Sequence, residues 1–371
     1  MIAALAAALL ALVQAPAAST PPVAAPSVPA APARSWPTQE GDFTARNFRF
    51  RSGETLPELR LHYTTLGTPR RDAAGRVTNA VMVIHGTGGT GRQFLSPQWA
   101  DVLYAPGGEL DIRRWYVILP DAIGHGRSSK PSDGLKARFP RYDYADMVEA
   151  QHRLLVDGLK VDGLRLLMGT SMGCMHDFVW GEAYPGFARA IMPLACAPTQ
   201  IAGRNRLWRR AVVDAIQQDP DYRGGDYTAQ PREGLRAAAT LLAVAGAAPL
   251  AAHEQYGTRD KAEAFYASTV DREYRSRDAN DLIWQVESSR TYDPSGELEK
   301  ITVPVTWVNS ADDFINPPEL KVGERFGPRL KAGRFLMIPI ETSRHGHGAH
   351  TWAVLWKDEL HKLIARSGGQ P

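Results

Sequence analysis

The chain has few cysteines, no strong excess of either charge and no apolar run long enough to cross a membrane. With two cysteines among 371 residues, a framework of several disulfides is excluded. The net charge is only +3, from 43 basic and 40 acidic residues, and no dense Lys/Arg run occurs, so nucleic-acid binding has little support. The apolar run over residues 1–13 is shorter than the about 20 residues that a spanning helix needs, and no stable membrane span is predicted.

The two cysteines, Cys174 and Cys196, each lie next to a predicted core strand. A small thiol beside a strand usually behaves as a buried apolar side chain. The sequence therefore favours two unbonded, buried cysteines.

The N-terminal segment has the composition of a secretory signal. Apolar residues 1–13 are followed by the small-residue stretch Gln14-Ala-Pro-Ala-Ala-Ser19, and the first charge is Arg34. This pattern predicts a signal peptide over residues 1–18, although the usual positive leader is missing. The Ala/Pro-rich residues 19–37 predict an extended linker outside the fold. We therefore expect a periplasmic or secreted protein.

Strands alternate with helices along most of the remaining chain, which predicts an α/β fold with a largely parallel sheet covered by helices on both faces. The alternation breaks over residues 198–300, a charge-rich region with helical periodicity. We expect a helical cap there, inserted between two core segments, residues 38–197 and 301–371. The predicted strands are 43–50 and 59–66 (an antiparallel pair), 79–85, 115–120, 164–168, 190–195, 303–308 and 334–338; the predicted helices are 144–159, the segment after Ser171 to about 184, 206–218, 234–245, 260–269 and 350–364.

A short apolar run ends in Gly169-Thr-Ser-Met-Gly173, after which the sequence becomes helical. This G-x-S-x-G pattern is typical of a nucleophile elbow, a tight strand-to-helix turn that holds a serine in a strained conformation. Glycines flank the serine because side chains there would collide with the neighbouring strand and helix. The pattern predicts that Ser171 is a nucleophile.

A nucleophilic serine needs a base, and the base needs an acid that orients it. The loop after residues 303–308 offers Asp312 and Asp313, and the loop after residues 334–338 offers three histidines. Both loops follow parallel strands at the sheet edge where sites form. The spacing to Pro317 favours Asp313. The small neighbours of His347 favour it as the base, and His345 and His350 are the alternatives. If His347 is the base, the other two are expected to be exposed loop histidines. His350 is also expected to fall at the start of the closing helix.

An oxyanion hole needs two backbone N–H groups aimed at the developing negative charge. We expect one from Met172, directly after the serine and at the positive end of a helix. The other is expected from Thr87, in the glycine-rich loop after His85. No Lys-Ser/Thr follows that loop, so it is not a P-loop. The turn that contains His125 is expected to line the site without a chemical role for that histidine.

Several segments beyond the elbow resemble one family. They are Tyr63-Thr-Thr-Leu-Gly67, Asn79-Ala-Val-Met-Val-Ile-His85, Phe139-Pro-Arg-Tyr-Asp-Tyr-Ala-Asp-Met-Val-Glu-Ala-Gln151, Gly169-Thr-Ser-Met-Gly-Cys-Met175 and, in the cap, Ala215-Ile-Gln-Gln-Asp-Pro-Asp-Tyr-Arg-Gly-Gly-Asp-Tyr227 followed by Gly234-Leu235. With these segments the chain resembles an α/β-hydrolase of the homoserine O-acetyltransferase-like group. The resemblance implies a Ser171–Asp313–His347 triad and an acyl-serine intermediate.

Two departures from that group bear on the reaction. Where the acyltransferases carry an aspartate directly after the catalytic histidine this chain has Gly348, and where they carry an arginine in the cap segment it has Val213. Those residues grip the amino and carboxylate groups of homoserine, so a zwitterionic acceptor would lack its charged partners here. We therefore expect a serine hydrolase acting on an ester or related acyl substrate, with an O-acyltransferase as the alternative and a catalytically silent binding module as a third reading.

The expected reaction requires no metal and no organic cofactor. Its partner is a small-molecule acyl compound, and the sequence is compatible with a homodimer.

Overall fold

The central element is an eight-stranded sheet with the order β1-β2-β4-β3-β5-β6-β7-β8. The computed structural model of the protein describes residues 34–371, and the predicted signal peptide lies outside the described residues. The strands are β1 Thr38–Arg49, β2 Thr55–Leu66, β3 Ala80–Ile84, β4 Tyr116–Pro120, β5 Leu166–Thr170, β6 Ile191–Leu194, β7 Val305–Ser310 and β8 Gly333–Ile338.

The sheet begins with an antiparallel hairpin and continues as a parallel sheet. β1 pairs antiparallel with β2 from Thr38↔Leu66 to Arg49↔Thr55, and β2 pairs antiparallel with β4. From β4 onward, every neighbouring pair is parallel. The prediction of a mostly parallel sheet opened by an antiparallel pair is confirmed.

The inner parallel strands are buried on both faces, which explains their unbroken apolar sequences. In β3, Met82 and Ile84 belong to the core on one side of the sheet, whereas Val81 and Val83 belong to the core on the other side. Successive side chains of a strand point to opposite faces, so one apolar run contributes to both cores. The two layers fix the carboxyl ends of the strands, where the loops with the polar candidates begin.

The helices fall into two groups along the chain. α1 to α3 and α9 to α11 flank the sheet, while α4 to α8 lie between β6 and β7, where residues 195–304 contain no strand. The cap was predicted with three helices; α6 and α8 were not predicted. The bounds are α1 Pro97–Leu103, α2 Tyr144–Arg153, α3 Met172–Ala183, α4 Gly203–Gln217, α5 Arg232–Gly246, α6 Pro249–Gln255, α7 Arg259–Arg275, α8 Ala279–Glu287, α9 Val322–Phe326, α10 Ile340–Ser343 and α11 Lys357–Arg366, with a π-helical turn at Leu154–Leu159.

The expectation of two unbonded cysteines is wrong. Cys174 and Cys196 form a disulfide, with their Cα atoms 5.8 Å apart. Cys174 lies in the first turn of α3 and Cys196 directly after β6. Because β5 and β6 are parallel neighbours, the turn after one strand and the segment after the other meet at the same edge. Burial of both residues was predicted correctly, but burial alone does not distinguish a thiol from a disulfide.

The prediction for the last helix is also wrong at its start. Residues Gly346–Thr351 form a 3₁₀ helix, and the closing α-helix begins only at Lys357. His350 therefore belongs to the histidine loop and not to α11.

Within residues 34–371, no single helix is both long and apolar enough to cross a bilayer. Only α5 and α6 taken together have the length and apolar composition of a spanning segment, and their axes are bent by 106°.

Candidate active site

The elbow places Ser171 between β5 and α3 in a strained conformation. Its φ is 54° and its ψ is −106°, outside the regions that non-glycine residues ordinarily adopt. The two flanking glycines permit this turn because neither position has room for a side chain. A Cβ on Gly169 would lie 2.1 Å from the carbonyl oxygen of Gly173, and a Cβ on Gly173 would lie 2.1 Å from that of Ile84. The elbow therefore packs directly on β3.

Ser171, His347 and Asp313 form a continuous hydrogen-bonded chain. His347 Nε2 lies 2.8 Å from Ser171 Oγ, and His347 Nδ1 lies 2.8 Å from Asp313 Oδ2. Ser171 follows β5, Asp313 follows β7 and His347 follows β8. The parallel sheet therefore brings the three residues to one edge. The structure thus brings together the serine, acid and histidine that the sequence favoured. The arrangement suits proton transfer from the serine hydroxyl to the imidazole.

Asp313 is held as an ionised carboxylate. Its Oδ1 accepts a hydrogen bond of 2.7 Å from the Ile315 backbone N–H, and its Oδ2 accepts one of 3.0 Å from Asn316 Nδ2. Burial tends to raise the pKa of Asp313, but the charge and hydrogen bond of His347 and the bonds from Asn316 and Ile315 bring it below its ordinary value. A persistent negative charge therefore faces His347 Nδ1.

Asp312, the alternative acid, has a different role. Its Oδ2 accepts a hydrogen bond of 2.8 Å from the Gly346 backbone N–H, and its Oδ1 accepts one from the Ser310 hydroxyl. Asp312 therefore anchors the histidine loop from the strand side and does not contact the His347 ring. The two residues lie in a turn, closed by a hydrogen bond from the Asp313 backbone N–H to the Ser310 carbonyl, and their carboxylates leave this turn towards different partners.

The other two histidines of the loop do not contact Ser171. His345 is half-buried and stacks on Trp352 with ring centroids 4.0 Å apart. His350 was expected to be exposed, but it is half-buried, with its Nδ1 inaccessible to solvent and its ring 5.3 Å from the ring of His347. Burial, followed by the proximity of His347, lowers the pKa of His350 to about 3. His350 is therefore a neutral packing partner of His347 near neutral pH.

Thr87 and Met172, the two predicted oxyanion donors, both adjoin residues of the elbow contact. A Cβ on Gly86 would lie 3.2 Å from Ser171 Cβ, so the loop that begins at Gly86 packs against the serine. Met172 follows the serine as the first residue of α3, where backbone N–H groups have no partner within the helix. Within residues 34–371, the backbone N–H groups of Thr87 and Met172 donate no hydrogen bond to the protein.

The turn after β4 is hydrogen-bonded to the glycine-rich loop after His85. Asp121 accepts hydrogen bonds from the backbone N–H groups of Gly91 and Arg127, and His85 Nε2 accepts one from Ala122. His125 is buried against His85, with ring centroids 4.9 Å apart, and does not line the cavity. Burial, followed by the nearby His85, places the pKa of His125 well below its ordinary value. The turn is structural, and His125 does not contact Ser171.

A cavity of about 780 Å³ opens above Ser171 and His347. Its walls come from the loop after β6, the start of α4, α6 and the loop after β7, so the inserted helices form one side of it. Gly348 leaves open space where a side chain would stand. Val213 does not line this cavity and instead lines a second one of about 600 Å³. One turn earlier on α4, Arg209 does line the cavity of Ser171.

Several residues of the site were not anticipated from the sequence. Asn316 binds the carboxylate of Asp313, and Arg209 lines the cavity above Ser171. Asn316 follows Asp313 closely in the same loop, so a search for amide donors near the acid would have found it. Arg209 gave no such signal among the many arginines of the insert. Within residues 34–371, no group of three or more His, Cys, Asp or Glu side chains is arranged to hold a metal ion.

Residues 79–326 match a protein family whose description is "alpha/beta hydrolase fold". The matched segment spans more than half of the chain and contains the elbow, the oxyanion loop and the acid. The chain belongs to the α/β-hydrolase family.

Similar proteins place this α/β-hydrolase in the homoserine O-acetyltransferase-like group. A "Probable acyltransferase" of Methanothermobacter thermautotrophicus is 31% identical over 75% of this chain and 84% of its own length. A homoserine O-acetyltransferase of Chlorobaculum parvum is 28% identical over 81% of this chain and 87% of its own length. An acetylester hydrolase from Corynebacterium glutamicum shares the fold, with a TM-score of 0.76, 20% identity, and coverage of 88% of this chain and 95% of that chain. Acyltransferases and an ester hydrolase thus occur among the proteins that this α/β-hydrolase resembles.

Proposed function

We propose that the protein is a serine esterase, which hydrolyses an ester or related acyl compound through an acyl-enzyme. The observation that carries the proposal is the hydrogen-bonded chain from Ser171 Oγ through His347 to Asp313, with 2.8 Å at each step. Such a chain makes a serine hydroxyl nucleophilic at neutral pH.

In the first half-reaction, Ser171 Oγ attacks the carbonyl carbon while its proton passes to His347 Nε2. The carbonyl oxygen becomes an oxyanion held by the backbone N–H groups of Thr87 and Met172. His347 then gives the proton to the departing alkoxide, and the alcohol leaves with the acyl group on Ser171. In the second half-reaction, water attacks the acyl-serine, His347 takes and returns a proton, and the carboxylic acid is released.

Two positions favour water over a zwitterionic acceptor in the second half-reaction. Gly348 leaves open space next to His347, and the cap position Val213 has no charge and does not line the cavity. The ammonium group of such an acceptor would be desolvated there without the aspartate that the related acyltransferases carry directly after their catalytic histidine, at a cost of several kcal/mol. Water requires no such partner.

The test is labelling and turnover with activated substrates. A fluorophosphonate should label Ser171, and p-nitrophenyl acetate should be hydrolysed by the native protein. Ser171→Ala should abolish labelling and reduce turnover by about 10³-fold or more. Absence of labelling, or full activity of Ser171→Ala, would contradict the proposal.

The second candidate is an O-acyltransferase with an acceptor other than homoserine. The similarity to a probable acyltransferase and to a homoserine O-acetyltransferase favours it. Both candidates share the acyl-enzyme and differ only in what attacks it. Incubation with an acyl donor and a panel of alcohols, with analysis of products, separates them, since a transferase yields a new ester and a hydrolase yields the free acid.

We also propose that the protein is exported. The disulfide between Cys174 and Cys196 supports export, because structural disulfides persist mainly in oxidising compartments. Fractionation of cells that express the full chain should recover the active protein outside the cytoplasm, with residues near the N-terminus removed. Recovery of the intact chain in the cytoplasm would contradict export.

A further inference from the structure

Arg209 is a buried arginine without an acidic partner. Only 3% of its surface is exposed, although it lines the cavity of Ser171. Its Nε donates a hydrogen bond of 2.9 Å to Asn205 Oδ1, and its Nη1 donates one of 3.1 Å to Ser289 Oγ. Both acceptors are neutral. In the described part of the chain no carboxylate forms an ion pair with Arg209, and its Nη2 donates no hydrogen bond to the protein.

The acidic residues near Arg209 are already engaged. Glu287 pairs with Arg206 at 3.1 Å and with Arg290 at 3.6 Å. Asp312 and Asp313, which line the same cavity, hold the histidine loop and His347. The positive charge of Arg209 is therefore not neutralised by a neighbouring side chain.

A buried guanidinium with no counter-ion is unfavourable, because it has lost its hydration without gaining a negative partner. Such a group persists where a ligand supplies the missing charge. The fork of an arginine matches a carboxylate, which can accept two parallel hydrogen bonds. The unused Nη2 of Arg209 is a donor of the kind that a carboxylate needs.

We infer that the substrate of this site is an ester that carries an anionic group, a carboxylate, and that Arg209 binds that group. This inference rests on the proposed esterase function and names its substrate class. The cavity accepts the ester carbonyl at Ser171 and the negative charge at the wall formed by α4. Arg209 is a specificity-determining residue and takes no part in the proton transfers.

The test compares esters that have the same shape and differ in charge. For a carboxylate in the acyl part, mono-p-nitrophenyl succinate is compared with the neutral isostere p-nitrophenyl 4-methylpentanoate. For a carboxylate in the alcohol part, O-acetylglycolate is compared with isobutyl acetate. The native protein should show a kcat/KM at least about tenfold higher for the anionic member of one pair, as a charged hydrogen bond implies.

Variants assign the preference to Arg209. Arg209→Gln should reduce kcat/KM for the preferred anionic ester by about 10-fold to 100-fold, mainly through KM, with little change for the neutral isostere. Arg209→Lys keeps the charge but loses the fork, and it should restore part of the preference. Arg210→Gln is the matched control, since Arg210 is the next residue on the same helix, is exposed and bonds to Asp214. It should leave the preference unchanged.

The outcomes also separate this inference from the proposed function. A merely structural Arg209 would lower activity towards both members of a pair equally when replaced. If the native protein shows equal kcat/KM values for the neutral and the anionic member of both pairs, the inference is overturned. This outcome does not depend on whether Arg209→Gln folds. If no ester is hydrolysed and Ser171 is not labelled, the proposed function itself fails.

Discussion

Asp312 and Asp313 are adjacent in the chain, yet they bind different parts of the same loop. Asp313 binds the ring of His347, and Asp312 binds the backbone N–H of Gly346. One carboxylate holds the imidazole ring, and the other holds the backbone of the loop that carries this ring. The structure therefore assigns separate roles to two residues that the sequence left as alternatives.

Replacement of these two acids should have unequal effects. Asp313→Asn removes the charge that stabilises protonated His347 and favours the wrong tautomer of the ring, so kcat should fall by about 10⁴-fold. Asp312→Asn keeps one carbonyl oxygen, which can still accept from Gly346, so kcat should fall by about tenfold at most. The measurement is steady-state hydrolysis of an activated ester by both variants. Equal losses would contradict the separation of roles.

Gly86→Ala should impair the oxyanion loop without preventing folding. The new methyl group would lie 3.2 Å from Ser171 Cβ, so the loop must shift away from the nucleophile by a few tenths of an ångström. A displaced donor at Thr87 should lower kcat by about 10-fold to 100-fold, less than complete loss of a donor. Gly296→Ala is the control, because a methyl group there meets nothing within 4 Å. Unchanged kcat in Gly86→Ala would place the oxyanion donors elsewhere.

The disulfide should contribute measurably to stability. Cys174 and Cys196 are 22 positions apart, and closing a loop of that size stabilises the folded state by about 3 kcal/mol. The double variant Cys174→Ser/Cys196→Ser should lose about this amount in denaturant unfolding, and so should the native protein treated with reductant. The reductant should have no effect on the double variant. Equal stability of native and reduced protein would show that the bond does not form in solution.

Glu182 should make stability fall as the pH rises. Burial at the end of α3, followed by repulsion from Glu297, raises the pKa of Glu182 to about 8, and its Oε1 has no hydrogen-bond partner within residues 34–371. Between pH 4.5, the ordinary value, and pH 8, the folded protein holds a proton that the unfolded chain releases. This contribution to the unfolding free energy is complete below pH 4.5 and is lost as the pH passes 8.

Glu182→Gln stays neutral at every pH and should remove that slope. The variant should match the native protein near pH 5 and be more stable than it near pH 8, as measured by urea unfolding at both values. Glu341→Gln, an exposed glutamate without partners in the described residues, is the control and should keep the native slope. A native slope in Glu182→Gln would assign the pH dependence to another group.

The fold class and the order of the chemical groups along the chain could be predicted from the amino-acid sequence alone. Apolar runs without alternation identified the inner parallel strands, since strands buried on both faces need no polar side. The glycines around Ser171 identified the elbow, because only glycine fits its close contacts. The positions after the last two strands then limited the acid to two residues and the base to three. These signals are local, so they can be read from a single chain.

The tertiary structure decided everything that depends on direction and distance across the chain. It brought His347 to Ser171 and Asp313 to His347, joined Cys174 to Cys196 because two parallel strands end side by side, and half-buried His350 although it lies in a loop. It also turned Arg209, one arginine among many in the insert, into the cavity above Ser171. Such outcomes follow from packing between residues far apart in sequence, which local patterns do not specify.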